Sequence, residues 1–403
     1  VSHISESQSA FDKYRTRSYF PELDGIRAIC VLGVLAHHMT DKHVWHWLGG
    51  GLGVNVFFVL SGYLITMLAL REERTRGKLS FKAFYVRRTL RIFPLYYFAV
   101  IVYCGLIAVG WSRELRDNFI QSLPYYLTYL QELTLAWDVV EAGRQSPFAH
   151  SWSLGIEEKY YLVWPLLAFG LWAWKPLVRL RGTIVLLLLF AATQSLGRLD
   201  SSIAKWHPEL VLYPYSNIMW GCLLAILLED ERWFQRLRAL GTPLGLVLTL
   251  GSFIATQLAY EPYREVFQEV VILHALATTA WLASILTGGG LLTAALSWKP
   301  AVFLGRISYG FYLFHGLGLS AGQKLIPAGS GRLEISVLSF VVSALATIVI
   351  AYGLALTIER PLVRVGRKWS ERILSKQAHA KPRREVFGAE RDAGVSEPSR
   401  SAP

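Results

Sequence analysis

Apolar residues fill most of this chain in runs of roughly twenty, separated by short polar segments in which arginine and lysine recur. The runs at 23–41, 53–70, 92–111, 157–174, 183–197, 210–228, 242–260, 268–287, 301–320 and 335–358 approach the ~20 residues a helix needs to cross a bilayer. The pattern predicts an all-α polytopic membrane protein, a bundle of about ten transmembrane helices. Residues 119–137, FIQSLPYYLTYLQELTLAW, are aromatic but broken by Pro124 and dotted with Gln121, Gln131 and Glu132. That stretch is expected to be interfacial or re-entrant.

The basic residues orient the bundle. With ten spans and the N-terminus inside, 30 of the 41 lysines and arginines fall in cytosolic segments, and Arg27 lies within the first span. This asymmetry predicts an N-in, C-in topology. Counting 119–137 as an eleventh span would move the clusters after 174 and 228 to the wrong side. Three regions follow: a basic cytosolic tail at 1–22, a transmembrane domain at 23–360, and a cytosolic, basic, disordered tail at 361–403.

Composition agrees. Hydrophobic residues make up 53% of the 403 and charged ones only 17%, with a mean hydropathy of +0.35, which excludes an ordinary soluble domain. The net charge of +12 is accounted for by topology and anionic lipid, so nucleic acid is not an expected partner. Cys30, Cys104 and Cys222 are isolated within apolar runs, and neither a disulfide nor a metal site is expected. The first apolar segment carries Arg27 and lacks a small-residue cleavage pattern; it is expected to act as its own insertion signal in a cell membrane.

Candidate chemistry begins in that first helix. Arg27 and His38 are eleven residues apart, a rotation of ~1100°, within ~20° of three whole turns, and a rise of ~16 Å. They therefore share a face, whereas His37 is turned ~80° away. Ionisable groups at membrane depth are functional candidates by default. In the second span Asn55, Phe58, Gly62 and Thr66 form one small, polar face, which either packs closely on the first helix or places Asn55 or Ser61 beside the same lumen. The cytosolic run Arg87-Arg88-Thr-Leu-Arg91 makes a guanidinium cluster suited to phosphate, or an ordinary positive-inside anchor, with Pro94 marking the start of the third span.

In His150-Ser-Trp-Ser153-Leu-Gly-Ile-Glu157-Glu158, Ser153 is a candidate helix cap and the two acids suit a first turn. The topology also puts both carboxylates toward His38, where one could orient the imidazole. Arg306 is placed near the cytosolic mouth and His315 about 14 Å higher on the same stretch; His315 and His274 are, by type, more often packing residues.

Taken together, L-D-G-I-R with Arg27 ten residues before His38, G-V-N-V-F-F-V-L-S-G-Y, R-R-T-L-R-I-F-P-L-Y, S-W-S-L-G-I-E-E-K-Y-Y-L-V-W-P and G-R-I-S-Y-G-F-Y-L-F-H resemble the membrane-bound acyltransferase-3 family, in order from about Glu22 to His315. The resemblance implies a ten-helix bundle in a stand-alone member without a further hydrolase-like domain. It also implies transfer of an acyl group, often acetyl, from a cytosolic acyl-CoA co-substrate to a hydroxyl on a sugar of an envelope glycan, a glycolipid or an exported small molecule. The family's essential arginine and histidine fall on Arg27 and His38, its arginine motif on Arg88 and Arg91, and its acidic motif on Glu157. On this reading Arg87, Arg88 and Arg91 hold the donor, His38 is the general base and Glu157 orients it, with no permanently bound cofactor and no metal. Arg27 either binds donor oxygens or pairs with Asp24. The alternative is a transporter or channel for a small anionic or glycosyl solute, with Arg27 and His38 as a binding and proton-relay line.

Overall fold

Pro21 opens helix α1 (Pro21–His37) from its first turn, where its missing N–H costs nothing, and Glu22 and Asp24 in that turn complement the helix dipole. The computed structural model describes residues 10–40, 45, 52–110, 113–136, 146–173, 175–196, 208–263, 269–327 and 332–379. All regular structure among them is helical. The helices after α1 are α2 (Leu52–Arg76), α3 (Phe81–Gly110), α4 (Arg113–Leu127), α5 (Leu133–Ala136), α6 (Trp152–Pro165), α7 (Pro176–Leu196) and α8 (Pro208–Glu229). They continue with α9 (Glu231–Leu237), α10 (Pro243–Tyr263), α11 (Glu269–Thr287), α12 (Leu291–Leu296), α13 (Lys299–Arg306), α14 (Ser308–Leu325), α15 (Leu333–Leu354) and α16 (Arg360–His379).

Among the described residues four helices are long and apolar enough to cross a membrane, Gly53–Arg76, Phe81–Gly110, Val270–Thr287 and Leu333–Gln377, with a fifth if the pair bent by 80° around Thr242 is one span. Length and composition alone go no further toward the expected ten. The other apolar runs are short or carry ionisable groups: α1 has 17 residues with Glu22, Asp24 and Arg27 among them, and the run expected at 301–320 is divided at Ile307 into α13 and α14. Large apolar side chains nevertheless face outward, including Ile101, Val109, Leu188, Val247 and Val349. Lipid, rather than water, suits such a surface.

The bundle is held by close backbone contacts. A Cβ on Gly62 would run into the carbonyl of Ile218, and one on Gly221 into the carbonyl of Val59, so only glycine lets α2 and α8 pack at this separation. The small face of α2 thus meets α8 at Gly62, while Gly53 approaches Cys30 of α1. Around α1 lie α2, α12, α13, α14 and α15; Arg27 is half-buried among them and His38, at the helix end, is exposed among the described residues.

Three local expectations are corrected. Pro94 lies inside α3 rather than at its start. Helix α6 starts at Trp152, its preceding residue Ser151 makes no side-chain cap, and no acid falls in its first turn; Ser153 instead bonds Tyr312 at 2.8 Å. The tail expected to be disordered from 361 begins as α16, packed along α3 with Gly366 against Leu90, because Leu362, Val363, Val365, Ile373 and Leu374 give it an apolar side. Residues 380–403 lie outside the described residues. Within 119–137, helix α4 continues through Pro124 to Leu127, and Tyr129 then takes a left-handed backbone, φ 57°.

Candidate active site

Six helices, α1, α2, α3, α6, α13 and α14, line a cavity open to solvent, about 770 Å³ with the open solvent at its mouth included. Its basic side is made by Arg27 of α1, Arg88 and Arg91 of α3 and Arg306 of α13. Glu157 and Glu158 of α6 line it too, together with Ser153, Tyr309 and Tyr312. One helical turn separates Arg88 from Arg91, so both guanidinium groups leave α3 on the same side.

Several of these polar groups are held by specific partners. The Arg88 guanidinium lies over the Tyr161 ring, 4.6 Å from its centroid, a cation–π contact that keeps it extended into the cavity. Glu157 accepts hydrogen bonds from Ser61 Oγ at 3.0 Å and from Tyr161 Oη at 2.9 Å. Arg27 Nη1 sits 3.5 Å from Asp24 Oδ1, the same carboxylate that receives the Tyr19 hydroxyl and lies 3.7 Å from Arg306 Nε. At this exterior rim, burial first and the bond to Asp24 second push the Tyr19 hydroxyl above its usual range.

Arg87 departs from the expected three-arginine fork. Its Nη2 pairs with Glu72 at 2.5 Å and its Nη1 donates to Ser370 Oγ of α16 at 2.6 Å. The side chain is spent on tying α2, α3 and α16 together and does not line the cavity.

The histidines gather at the other end of α1. His38 caps the helix, and its Nδ1 lies 2.9 Å from the Val34 carbonyl. A carbonyl can only accept, so Nδ1 carries the proton and Nε2 presents a lone pair. His315 of α14 stands in edge contact with His38, ring centroids 4.8 Å apart, and His150 stands 4.6 Å beyond His315 in the same manner. His315 Nδ1 is 2.6 Å from the Tyr312 carbonyl, which fixes its proton there by the same reasoning; its Nε2 is buried with no hydrogen-bond partner among the described residues. His150 Nε2 donates to Leu313 O at 3.2 Å. Tyr312, in the cavity wall, gives its hydroxyl proton to the His150 carbonyl and so takes the proton of Ser153.

The structure thus brings Arg27, Ser61, Arg88, Arg91, Glu157, Glu158 and Arg306 to one cavity and joins His38 to His315 and His150. Glu157 bonds Ser61 and Tyr161, whereas His38 takes its tautomer from Val34. Asn55 is buried on α2 and outside the cavity lining, and His274 packs against Phe253 and Thr256 of α10. Sequence reasoning passed over His150, Tyr161 and Tyr312. The one available signal was their place within the same polar-aromatic motifs as Glu157 and His315. Among the described residues no group of three or more histidine, cysteine or acidic side chains is arranged to hold a metal ion.

Comparison with known proteins is consistent in class. The sequence model of an acyltransferase domain matches residues 20–356. The peptidoglycan O-acetyltransferase OatA of Listeria monocytogenes is 30% identical over 314 residues, 74% of this chain and 49% of that protein. YrhL of Bacillus subtilis strain 168, whose name assigns the same activity provisionally, is 30% identical over 323 residues, 76% of this chain and 49% of YrhL. The chain spans about half the length of these relatives. No solved structure matches.

Proposed function

Because this chain belongs to the acyltransferase-3 family, we propose that it is an integral-membrane O-acyltransferase, moving acetyl or another short acyl group from a cytosolic acyl-CoA donor to a sugar hydroxyl. The setting proposed is the cell membrane, crossed about ten times with both ends of the domain inside. The relatives' names attach to peptidoglycan, which makes a cell-wall sugar the first acceptor to try, ahead of other envelope glycans, glycolipids and exported glycosides. These names also speak for group transfer over the transport of an anionic or glycosyl solute.

The observation that carries the reading is the placement of α1. Arg27 opens onto an arginine-lined cavity, and His38, about 16 Å along the same axis, leaves Nε2 available as a base. Arg88 and Arg91, with Arg27 and Arg306, supply charge-assisted donors for the phosphates of a CoA-type donor. The pantetheine arm then follows α1 toward His38. There the acceptor hydroxyl attacks the thioester carbonyl as His38 Nε2 takes its proton, the C–S bond breaks, and the thiolate recovers that proton on leaving. Glu157, held by Ser61 and Tyr161, adds an acidic group to the arginine-lined cavity and keeps Tyr161 under Arg88. The test is turnover of labelled acetyl-CoA by the purified protein, scored as free-thiol release with a cell-wall glycan as acceptor. Release that depends on both the glycan and His38 supports the proposal; none with any short acyl-CoA counts against it.

A further inference from the structure

Resting on the assignment of His38 as base, we propose that His315, backed by His150, is a positioning residue for the transfer step. It supplies the electron-rich surface that His38 needs only once it has taken the acceptor's proton.

Four observations converge. His315 is fully buried, 0% exposed, on a helix that packs against α1. Its ring lies in edge contact with His38, centroids 4.8 Å apart, close enough for its electron density to face the positive ring that His38 becomes. Its own proton is committed to the Tyr312 carbonyl at 2.6 Å. Its Nε2 therefore has only a lone pair to offer, and among the described residues that lone pair has no hydrogen-bond partner. A buried acceptor left unpaired is destabilising, and such an arrangement is conspicuous beside a candidate base.

His150 fixes the far side. Its Nε2–H is given to Leu313 O, its carbonyl takes the Tyr312 hydroxyl, and its ring closes on His315 at 4.6 Å. Tyr312 and His315 belong to one turn of α14, so the bonds from Tyr312 to His150 and Ser153 lock the turn that carries His315. His315 thus stands between contacts with both other imidazoles.

In the reaction the hydroxyl O–H breaks and its proton moves to His38 Nε2 as the C–O bond forms at the carbonyl. His38 is then an imidazolium, and the neutral His315 ring stabilises it. The C–S bonding pair leaves with sulfur, which takes the proton back from His38, and His315 again faces a neutral imidazole. The interaction exists after proton transfer and not before, so its loss lowers kcat and leaves the KM of the donor unchanged.

The experiment compares wild type, His315→Asn, His315→Gln and His38→Ala in detergent, measuring kcat and KM with acetyl-CoA and each variant's thermal midpoint. Asparagine keeps a donor for the Tyr312 carbonyl and removes the distal acceptor; glutamine can place its Oε1 where that acceptor was. The expected result is a kcat loss of about tenfold or more in His315→Asn with KM unchanged, and substantial recovery in His315→Gln. Equal activity of His315→Asn and wild type, or equal losses in both variants that track their thermal midpoints, overturns the positioning role. Retained turnover in His38→Ala is a separate result: it removes the base on which the proposal rests, whatever the His315 variants do.

Discussion

Arg87 Nη2 lies 2.5 Å from Glu72 Oε2, while its neighbour Arg88 reaches over Tyr161 into the cavity. Adjacent residues of one type on one helix therefore have different partners. Arg88→Ala should raise the KM for acyl-CoA by about 10- to 100-fold, the loss of charge-assisted bonds of roughly 1.5–3 kcal/mol. Arg87→Ala should change that KM far less and lower thermal stability, since it unties α16 from α3. Steady-state kinetics beside a melting curve for each variant separates the two roles. A larger KM effect from Arg87 than from Arg88 contradicts the placement.

The contact of α2 with α8 makes a second prediction. Because a Cβ at Gly62 or Gly221 meets a backbone carbonyl of the opposite helix, the helices must move apart to accept alanine. Overpacking of this kind costs roughly 1–3 kcal/mol. Gly62→Ala and Gly221→Ala should each melt at lower temperature, while alanine at Gly105, which has nothing within 4 Å of a Cβ, should not destabilise through such a clash.

Arg179 carries a third. It is 3% exposed, bonds both oxygens of Glu73 at 2.9 Å, donates its Nε to Ala168 O at 2.7 Å and covers the Phe169 ring. Removing one partner of a buried pair leaves the other charge uncompensated, a loss of about 3–5 kcal/mol, and less here because the Glu73 side chain is 17% exposed. Arg179→Ala should be strongly destabilised, and Arg179→Lys only partly restored, because an ammonium cannot make the fork. The Glu73→Gln, Arg179→Met double variant should recover stability relative to Arg179→Ala.

Much of this arrangement was legible in the chain. The face shared by Arg27 and His38 follows from helical geometry alone, and the Arg27–Asp24 pairing was one of two readings of those residues. The positions of Arg88, Arg91, Glu157 and Ser61 beside one cavity fit the motifs that contain them. What sequence could not give were contacts between distant segments. The pairing of Arg87 with Glu72 and Ser370, and the contacts of His315 with His38 and His150, join residues up to 283 positions apart. Local pattern also misled where tertiary packing decides: the apolar side of α16 becomes stable only against α3, and Ser153 gives up the cap for Tyr312. Ile307 breaks a run that hydropathy reads as continuous.

The central claim is that His38 Nε2, freed by the Nδ1–H bond to Val34, is the base for acyl transfer. The most direct measurement is thiol release from radiolabelled acetyl-CoA by purified wild type and His38→Ala in proteoliposomes containing a cell-wall glycan. General base catalysis is typically worth about 10²–10⁴ in rate, so the variant should insert normally, melt within a few degrees of wild type and lose at least about 99% of acceptor-dependent turnover. Turnover by folded His38→Ala equal to that of wild type would contradict the account.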